Sequence, residues 1–230
     1  MSSSSRMSGG GAEAVRTRTK LSSLALILGI SLVAGHAGAA GNSEWRFRVL
    51  LEGDPIGHQS FRLTQDGSLE RMTIEASMDV KIFFLTVYTY RHSNNEAWEG
   101  GCLTSIESDT DDNGTQFRIR GKRESGDFLV DTGSGRTQLP RCVHSFAYWD
   151  PEKLRQSSLL NSQTGEYESV KLLELGEELV ESRGSEYRAR RIALEGTALR
   201  IDLWYSSLDN DWLALESRSK SGRMIRYVRE

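Results

Sequence analysis

Among the 230 residues of this chain, the histidines, a pair of cysteines and one run of acids could do chemistry. His58, His92 and His144 lie beyond residue 40. None forms an H-x-H or H-x-x-x-H pair, and no cysteine or acid recurs at a ligand spacing, so no metal is expected. His92, beside Arg91, reads as a polar residue at a strand end. Asp109-Thr110-Asp111-Asp112-Asn113-Gly114 matches the first half of a calcium loop. Such a loop needs a bidentate carboxylate at its twelfth position, and Arg120 stands there. Asn113-Gly114 instead suits the left-handed residues of a tight hairpin turn, and the sequon Asn113-Gly114-Thr115 is read as part of that turn. No G-x-S-x-G or S-x-x-K motif occurs, and Ser134, between two glycines, has no base placed near it. The acids are scattered across strands and define no glycosidase pair. No cofactor and no catalytic residue is expected.

Cys102 and Cys142 are the two cysteines of the chain. In an oxidising compartment such a pair usually bonds, and closing a loop of roughly 40 residues is worth about 4 kcal/mol by chain entropy. Two free buried thiols are the alternative; nothing resembles the C-x-x-C of a redox pair.

The compartment is read from the first forty residues. Arg6, Arg16, Arg18 and Lys20 face a single acid, Glu13, and the apolar run Leu21–Val33 follows, then Ala34-Gly35-His36-Ala37-Gly38-Ala39-Ala40. A basic segment, a short apolar one and small residues in that order define a secretory signal peptide cleaved after Ala39 or Ala40. Met1 and Met7 are both possible starts. A spanning helix needs about 20 apolar residues, and this run is roughly 13 long, so a retained membrane anchor is the weaker reading. Localisation is therefore expected to be periplasmic or secreted, with residues 41–230 as one domain that is not an integral membrane protein once cleaved. Of the 29 basic and 32 acidic residues, the leader takes four and one; 25 against 31 remain, a net charge of −6. That acidic surface argues against nucleic acid as a partner.

Beyond residue 40 the sequence alternates with period two. Trp45, Phe47, Val49 and Leu51 face one way; Met72, Ile74, Ala76, Met78 and Val80 do the same, with charged and polar neighbours opposite. Only a half-buried strand sorts residues so, and this pattern belongs to an antiparallel sheet with one wet face. Ile82 to Tyr90 is apolar throughout and is expected to be covered in part on both faces. Asp66-Gly67 reads as a type I′ hairpin turn, and Leu199, Ile201, Leu203 and Tyr205 alternate in a later strand. Asp150-Pro151-Glu152 has the N-cap, first-position proline and acid of a helix start, predicting one short helix near 151–160. Altogether the pattern gives an all-β fold: a single curved antiparallel sheet or partly open barrel of about ten to twelve strands plus that helix.

Two stretches carry a resemblance. Val87-Tyr88-Thr89-Tyr90-Arg91-His92 with Glu96-Ala97-Trp98-Glu99-Gly100-Gly101-Cys102-Leu103, and Leu203-Trp204-Tyr205 with Leu215-Glu216 and Ser221-Gly222-Arg223, are similar to exported bacterial proteins of domain-of-unknown-function family 6134, which is distantly similar to family 3108. The resemblance covers most of residues 44–230 and rests on strand and turn patterns. It implies an all-β envelope protein with a strongly curved sheet, and brings no activity, cofactor or site residue. Cys102 stands where the family pattern implies a polar residue, so the disulfide is expected to be particular to this chain.

With no chemistry in the motifs, the aromatics remain. A sheet of this size tends to curl, and a curled sheet can enclose an apolar cavity. Tyr88, Tyr90, Trp98, Trp149 and Trp204 are the candidate ligand-lining residues, because Trp and Tyr join an apolar body to a polar edge. The expected function is binding of a lipid or other apolar small molecule by an envelope protein. The rival readings are a module that binds another envelope protein, and a hydrolase with a dispersed site.

Overall fold

A computed structural model describes residues 41–197, 200–219 and 221–230. The expected leader, residues 1–40, and Leu199 of the predicted alternation lie outside the described residues. Fifteen strands and no helix are present among them. The first meander comprises β1 (Asn42–Leu51), β2 (Asp54–Asp66), β3 (Leu69–Ile82), β4 (Leu85–Glu99), β5 (Cys102–Asp112), β6 (Thr115–Glu124), β7 (Asp127–Asp131) and β8 (Arg136–Leu139). A connecting segment carries the short pair β9 (Ser158–Leu160) and β10 (Tyr167–Ser169). The second meander is β11 (Lys171–Ser182), β12 (Ser185–Glu195), β13 (Arg200–Ser206), β14 (Trp212–Arg218) and β15 (Met224–Arg229). The strand count exceeds the expected ten to twelve because short strands such as β8 to β10 leave too few residues to show a period.

Thirteen strands form one open antiparallel sheet in the order β11-β12-β13-β14-β15-β1-β2-β3-β4-β5-β6-β7-β8. The two meanders join where β1 pairs with β15, Phe47 opposite Arg229 and Leu51 opposite Ile225. Period-two burial follows the sequence: Trp45, Phe47, Val49 and Leu51 of β1 are buried, as are Met72, Ile74, Ala76 and Met78 of β3. One apolar cluster contains Trp98, Leu103, Ile106 and Phe128 from the first meander together with Ile192, Leu203, Tyr205 and Trp212 from the second. Distant strands of one sheet can share a cluster only if the sheet curls around it. Gly121 of β6 leaves room in that cluster, since a Cβ there would come within 2.6 Å of the Phe128 ring.

The hollow of the curl is filled by the connecting segment. Val143, Ala147, Trp149, Leu154, Leu159 and Leu160 are all buried in the main cluster. The Cys102–Cys142 disulfide, with Cα atoms 5.0 Å apart, ties the start of this segment to β5, and Leu103 N donates to Val143 O beside it at 2.9 Å. Further along, the Tyr205 hydroxyl donates to Tyr148 O at 2.6 Å, fastening the segment to the second meander.

The helix predicted near 151–160 does not form. Asp150 does act as a cap, its Oδ1 accepting Glu152 N at 3.0 Å, but the following bonds run to the third residue back, Lys153 N to Asp150 O and Leu154 N to Pro151 O. One turn does not repay the cost of helix nucleation. Lys153 is held by Glu70 at 3.0 Å and Asp150 at 2.8 Å, and the adjacent Leu159 and Leu160 are both fully buried. Burial of neighbouring side chains suits a strand covered on two faces, and the chain takes that form in β9.

At the far edge, β12 pairs with β13, and the end of β11 bends back toward β14. Val180, Ala189, Trp204, Leu213 and Ala214 form a second cluster there, and Ser182 Oγ donates to Leu213 O at 3.1 Å.

Candidate functional site

Near the middle of the first meander the apolar pattern leaves the interior. β3 and β4 stay paired out to Ile82 opposite Leu85. The pairing of β2 with β3 begins only at Gly57 opposite Met78, and that of β4 with β5 ends at Tyr90 opposite Asp112. The β3–β4 ribbon therefore projects by four residues of β3, roughly 13 Å at the rise of a strand. At its tip Phe83 is 95% exposed and Phe84 89%, and Ile82, Leu85 and Val87 are exposed as well. Ile82 and Leu85 are directly opposed and share one face of the ribbon, Lys81 stands opposite Thr86 on the other face, and the two phenylalanines form the end. The stretch Ile82–Tyr90 contains no charged side chain.

The tip is also strained. Phe83 has φ = +55°, an outlier for a bulky residue. At the other end of β3 the two-residue turn has the same sign of φ at its first position, where Gly67 (φ = +59°) carries no side chain to clash. Gly67-Ser68, and not the expected Asp66-Gly67, fills that turn.

Behind the tip stands a collar of polar groups. The Tyr88 hydroxyl donates to Asp112 Oδ1 at 2.6 Å, and Arg91 pairs with Asp79 at 2.8 Å and donates to Met78 O at 2.9 Å. Lys81 is exposed. Asn113 N donates to Thr89 O at 2.8 Å, bracing the ribbon against the β5–β6 turn. Tyr90 faces inward, stacked on His92 with ring centres 6.2 Å apart, and packs with the small cluster of Val49, Ala76 and Met78. Burial raises the phenol pKa of both tyrosines above the ordinary value, and for Tyr88 the hydrogen bond to Asp112 adds to it.

The other candidate aromatics lie elsewhere. Trp98 is fully buried and meets Trp149 edge-on at 5.8 Å inside the curl. Trp204 belongs to the second cluster, where its Nε1 donates to Glu178 Oε1 at 2.6 Å and Arg191 lies over its ring at 5.0 Å. The structure thus brings together Tyr88 with Tyr90, and Trp98 with Trp149, but does not gather the five around one cavity.

Inward-facing residues of β4 also form a polar strip, Tyr90, His92, Asn94 and Glu96; His92 is buried within β4 and not at a strand end, and the alternation that adds Asn94 and Glu96 is visible in the sequence. Glu96 is buried and accepts from Asn94 Nδ2 at 2.9 Å and Trp98 Nε1 at 3.0 Å. The Ser145 hydroxyl stands close to the same carboxyl, outside hydrogen-bonding geometry. Burial outweighs these donors and raises the Glu96 pKa. His92 Nδ1 meets Thr110 Oγ1 at 2.9 Å, and burial depresses its pKa to about 4. Loss of water thus disfavours the charged form of both groups. The hydroxyls beside them, Thr110 and Ser145, are buried as well.

The remaining candidates lie in turns, ion pairs and packing contacts elsewhere. Asn113 (φ = +53°) and Gly114 (φ = +90°) form the β5–β6 turn, and Asp111 Oδ1 caps it by accepting Gly114 N at 2.7 Å. Asp109 is paired with Arg118 and with Arg120, the residue at the twelfth position of the calcium-like pattern. Ser134 shares a hydrogen bond with Thr132 in an exposed loop. His58 lies 3.6 Å from Glu230 in an open hollow of about 430 Å³, which is lined largely by polar and charged side chains, Arg46, Arg62 and Glu75 among them. His144 packs on Trp98.

The apolar tip was legible only in part. Its residues were expected under cover because a continuous apolar run reads as a doubly buried strand. Phe83-Phe84, flanked by Ile82 and Leu85, carries none of the residues that mark a turn.

Residues 47–230 match the family described as Domain of unknown function (DUF6134). A crystal structure of a beta-barrel-like protein of domain of unknown function DUF1849 from Brucella abortus superposes with a TM-score of 0.60 over 83% of this chain and 96% of that one, at 9% identity. That likeness is one of fold. No curated protein matches. The chain belongs to the DUF6134 family.

Proposed function

Starting from a family whose description carries no activity, we propose that this chain is an exported envelope protein that works by docking, and that the tip of the β3–β4 hairpin is its docking element. The observation that carries the reading is Phe83 and Phe84 standing almost fully exposed on a domain whose other large aromatics are mostly buried. Monomeric proteins rarely keep a contiguous apolar patch in water without a use for it. Tyr88, half-buried at the base of the tip, is the candidate aromatic that an apolar partner meets in this reading, while Tyr90 packs inward. Trp98 and Trp149 belong to the main cluster, which also holds Met72 and Ile74 of β3, and Trp204 to the cluster at the far edge.

Export supplies the setting. The disulfide and the absence of a membrane-crossing helix among the described residues are compatible with an extracytoplasmic protein. Cleavage after Ala39 or Ala40 is tested by N-terminal sequencing of the protein recovered from the cell envelope; a chain starting at Met1 or Met7 refutes it. Docking is tested by placing a photo-crosslinking residue at position 84, with position 208 as the control, because Leu208 is equally exposed but lies on the β13–β14 turn. Crosslinks in living cells are expected from position 84 and not from 208. Their absence from 84 would end the docking reading.

A further inference from the structure

Given the docking reading, on which this inference rests, we propose that the occupant of the tip is the surface of a lipid bilayer, which the hairpin enters to the depth of its turn. The first argument is shape. Phe83 and Phe84 cover the end of a thin projecting ribbon, and Ile82 and Leu85 one face of it just behind. A protein partner must provide a socket shaped to a protruding apolar end, whereas acyl chains accept such an end without one.

The second argument is the order of chemistry along the ribbon. No charge occurs from Ile82 to Tyr90. Then come Tyr88 with its hydroxyl on Asp112, Lys81, and the Asp79–Arg91 pair. Tyrosine and lysine are side chains that settle at the level of lipid headgroups, ring or stem inward and polar end in water. The collar carries both signs of charge, which complements a zwitterionic headgroup; a lipid of net negative charge would call for a basic collar.

The third argument fixes the depth. Between the last β2 and β5 pairings and the turn, the outer edges of β3 and β4 have no neighbouring strand. Unpaired backbone groups are costly in hydrocarbon, so the ribbon stops at the interface and does not span. The left-handed Phe83 fits the same picture: a glycine would turn the chain there without strain, but would bring no ring to the lipid.

The test uses protein recovered from cells after export, so that every variant keeps the same N-terminus. Flotation with phosphatidylcholine vesicles is compared for the unmodified chain, for Phe83→Ser with Phe84→Ser, and for Leu208→Ser. The tip residues lie outside the core clusters, and unchanged melting of the double variant verifies its fold. The unmodified chain is expected to float, the double variant to bind at least about tenfold more weakly, the loss of roughly 1.4 kcal/mol or more, and Leu208→Ser to bind as the parent does. A parent that does not float, a double variant that floats equally well, or binding that appears only with anionic lipid and vanishes in salt overturns the proposal. So does a tip-dependent dimer seen without vesicles. Crosslinking from position 84 to a protein alone would keep the docking reading and reject the bilayer.

Discussion

Phe47 and Phe61 meet edge to face inside the curled sheet and both rings pack on Trp212, with centres 4.4 and 4.8 Å away, whereas Phe83 and Phe84, on the same meander, stand in water. The interior rings have neighbours on every side and sit on strands whose backbone is relaxed. The tip rings have few neighbours, and Phe83 is held in a conformation that disfavours it. Aromatic residues in the first region are explained by stability. In the second they cost stability, and their presence calls for a use outside the folded chain.

Four measurements can break or sharpen that contrast. The largest effect is expected from Trp98→Ala. Its ring is fully buried and its indole nitrogen donates to Glu96, so truncation should cost about 3–5 kcal/mol in denaturant unfolding. A loss under about 1 kcal/mol would mean that the interior is loosely filled and that a ligand cavity lies there after all.

Next comes the disulfide. Cys142→Ser removes a cross-link spanning 40 residues, worth about 4 kcal/mol by chain entropy, and frees the start of the filling segment. Chemical reduction of the parent should lower its stability to that of the variant; if reduction changes nothing, the bond does not hold the filling in place.

The third effect is a pH dependence from His92. Its folded pKa of about 4 lies below the ordinary 6.5. Below pH 6.5 the unfolded chain binds a proton that the folded chain refuses, so stability is present above 6.5 and is lost as pH falls toward 4, by about 3 kcal/mol in all. Glu96 acts in the opposite sense, because its raised pKa favours the fold at low pH. The measurement is therefore the difference between the parent and His92→Gln across pH 4–7, and a flat difference would show that His92 titrates as in water.

The smallest effect has the opposite sign. Phe83→Gly should stabilise the protein by about 1 kcal/mol by relieving the left-handed backbone, while weakening whatever binds the tip. Destabilisation would show that the Phe83 ring makes contacts within the fold.

Much of this fold was readable in the residues. Strict alternation placed β1 and β3, Asn113-Gly114 placed a turn, and the two cysteines announced their bond. What failed to show depended on contacts distant in the chain. Leu154, Leu159 and Leu160 could serve a helix or a strand, and only their burial between two meanders decides for β9. Trp204 faces away from the main cluster, and nothing near it in sequence tells that β11 will bend back toward it. At the tip, an apolar run signals burial by default, and periodicity has no way of expressing burial by something other than the chain itself.

The seam between β1 and β15 has a consequence for the order of events during synthesis. β15 follows all the other described strands in the chain, yet it belongs in the middle of the sheet, between β14 and β1. Each meander can begin pairing as it appears, since its strands are neighbours in sequence. The shared cluster cannot close until residues about 180 positions apart meet, a separation of the kind that makes folding slow. Until then β1 and β14 both present an open edge, ready to pair with any extended chain nearby. The sheet is thus at its most adhesive just before β15 joins it, and Met224–Arg229 acts as its closing clasp.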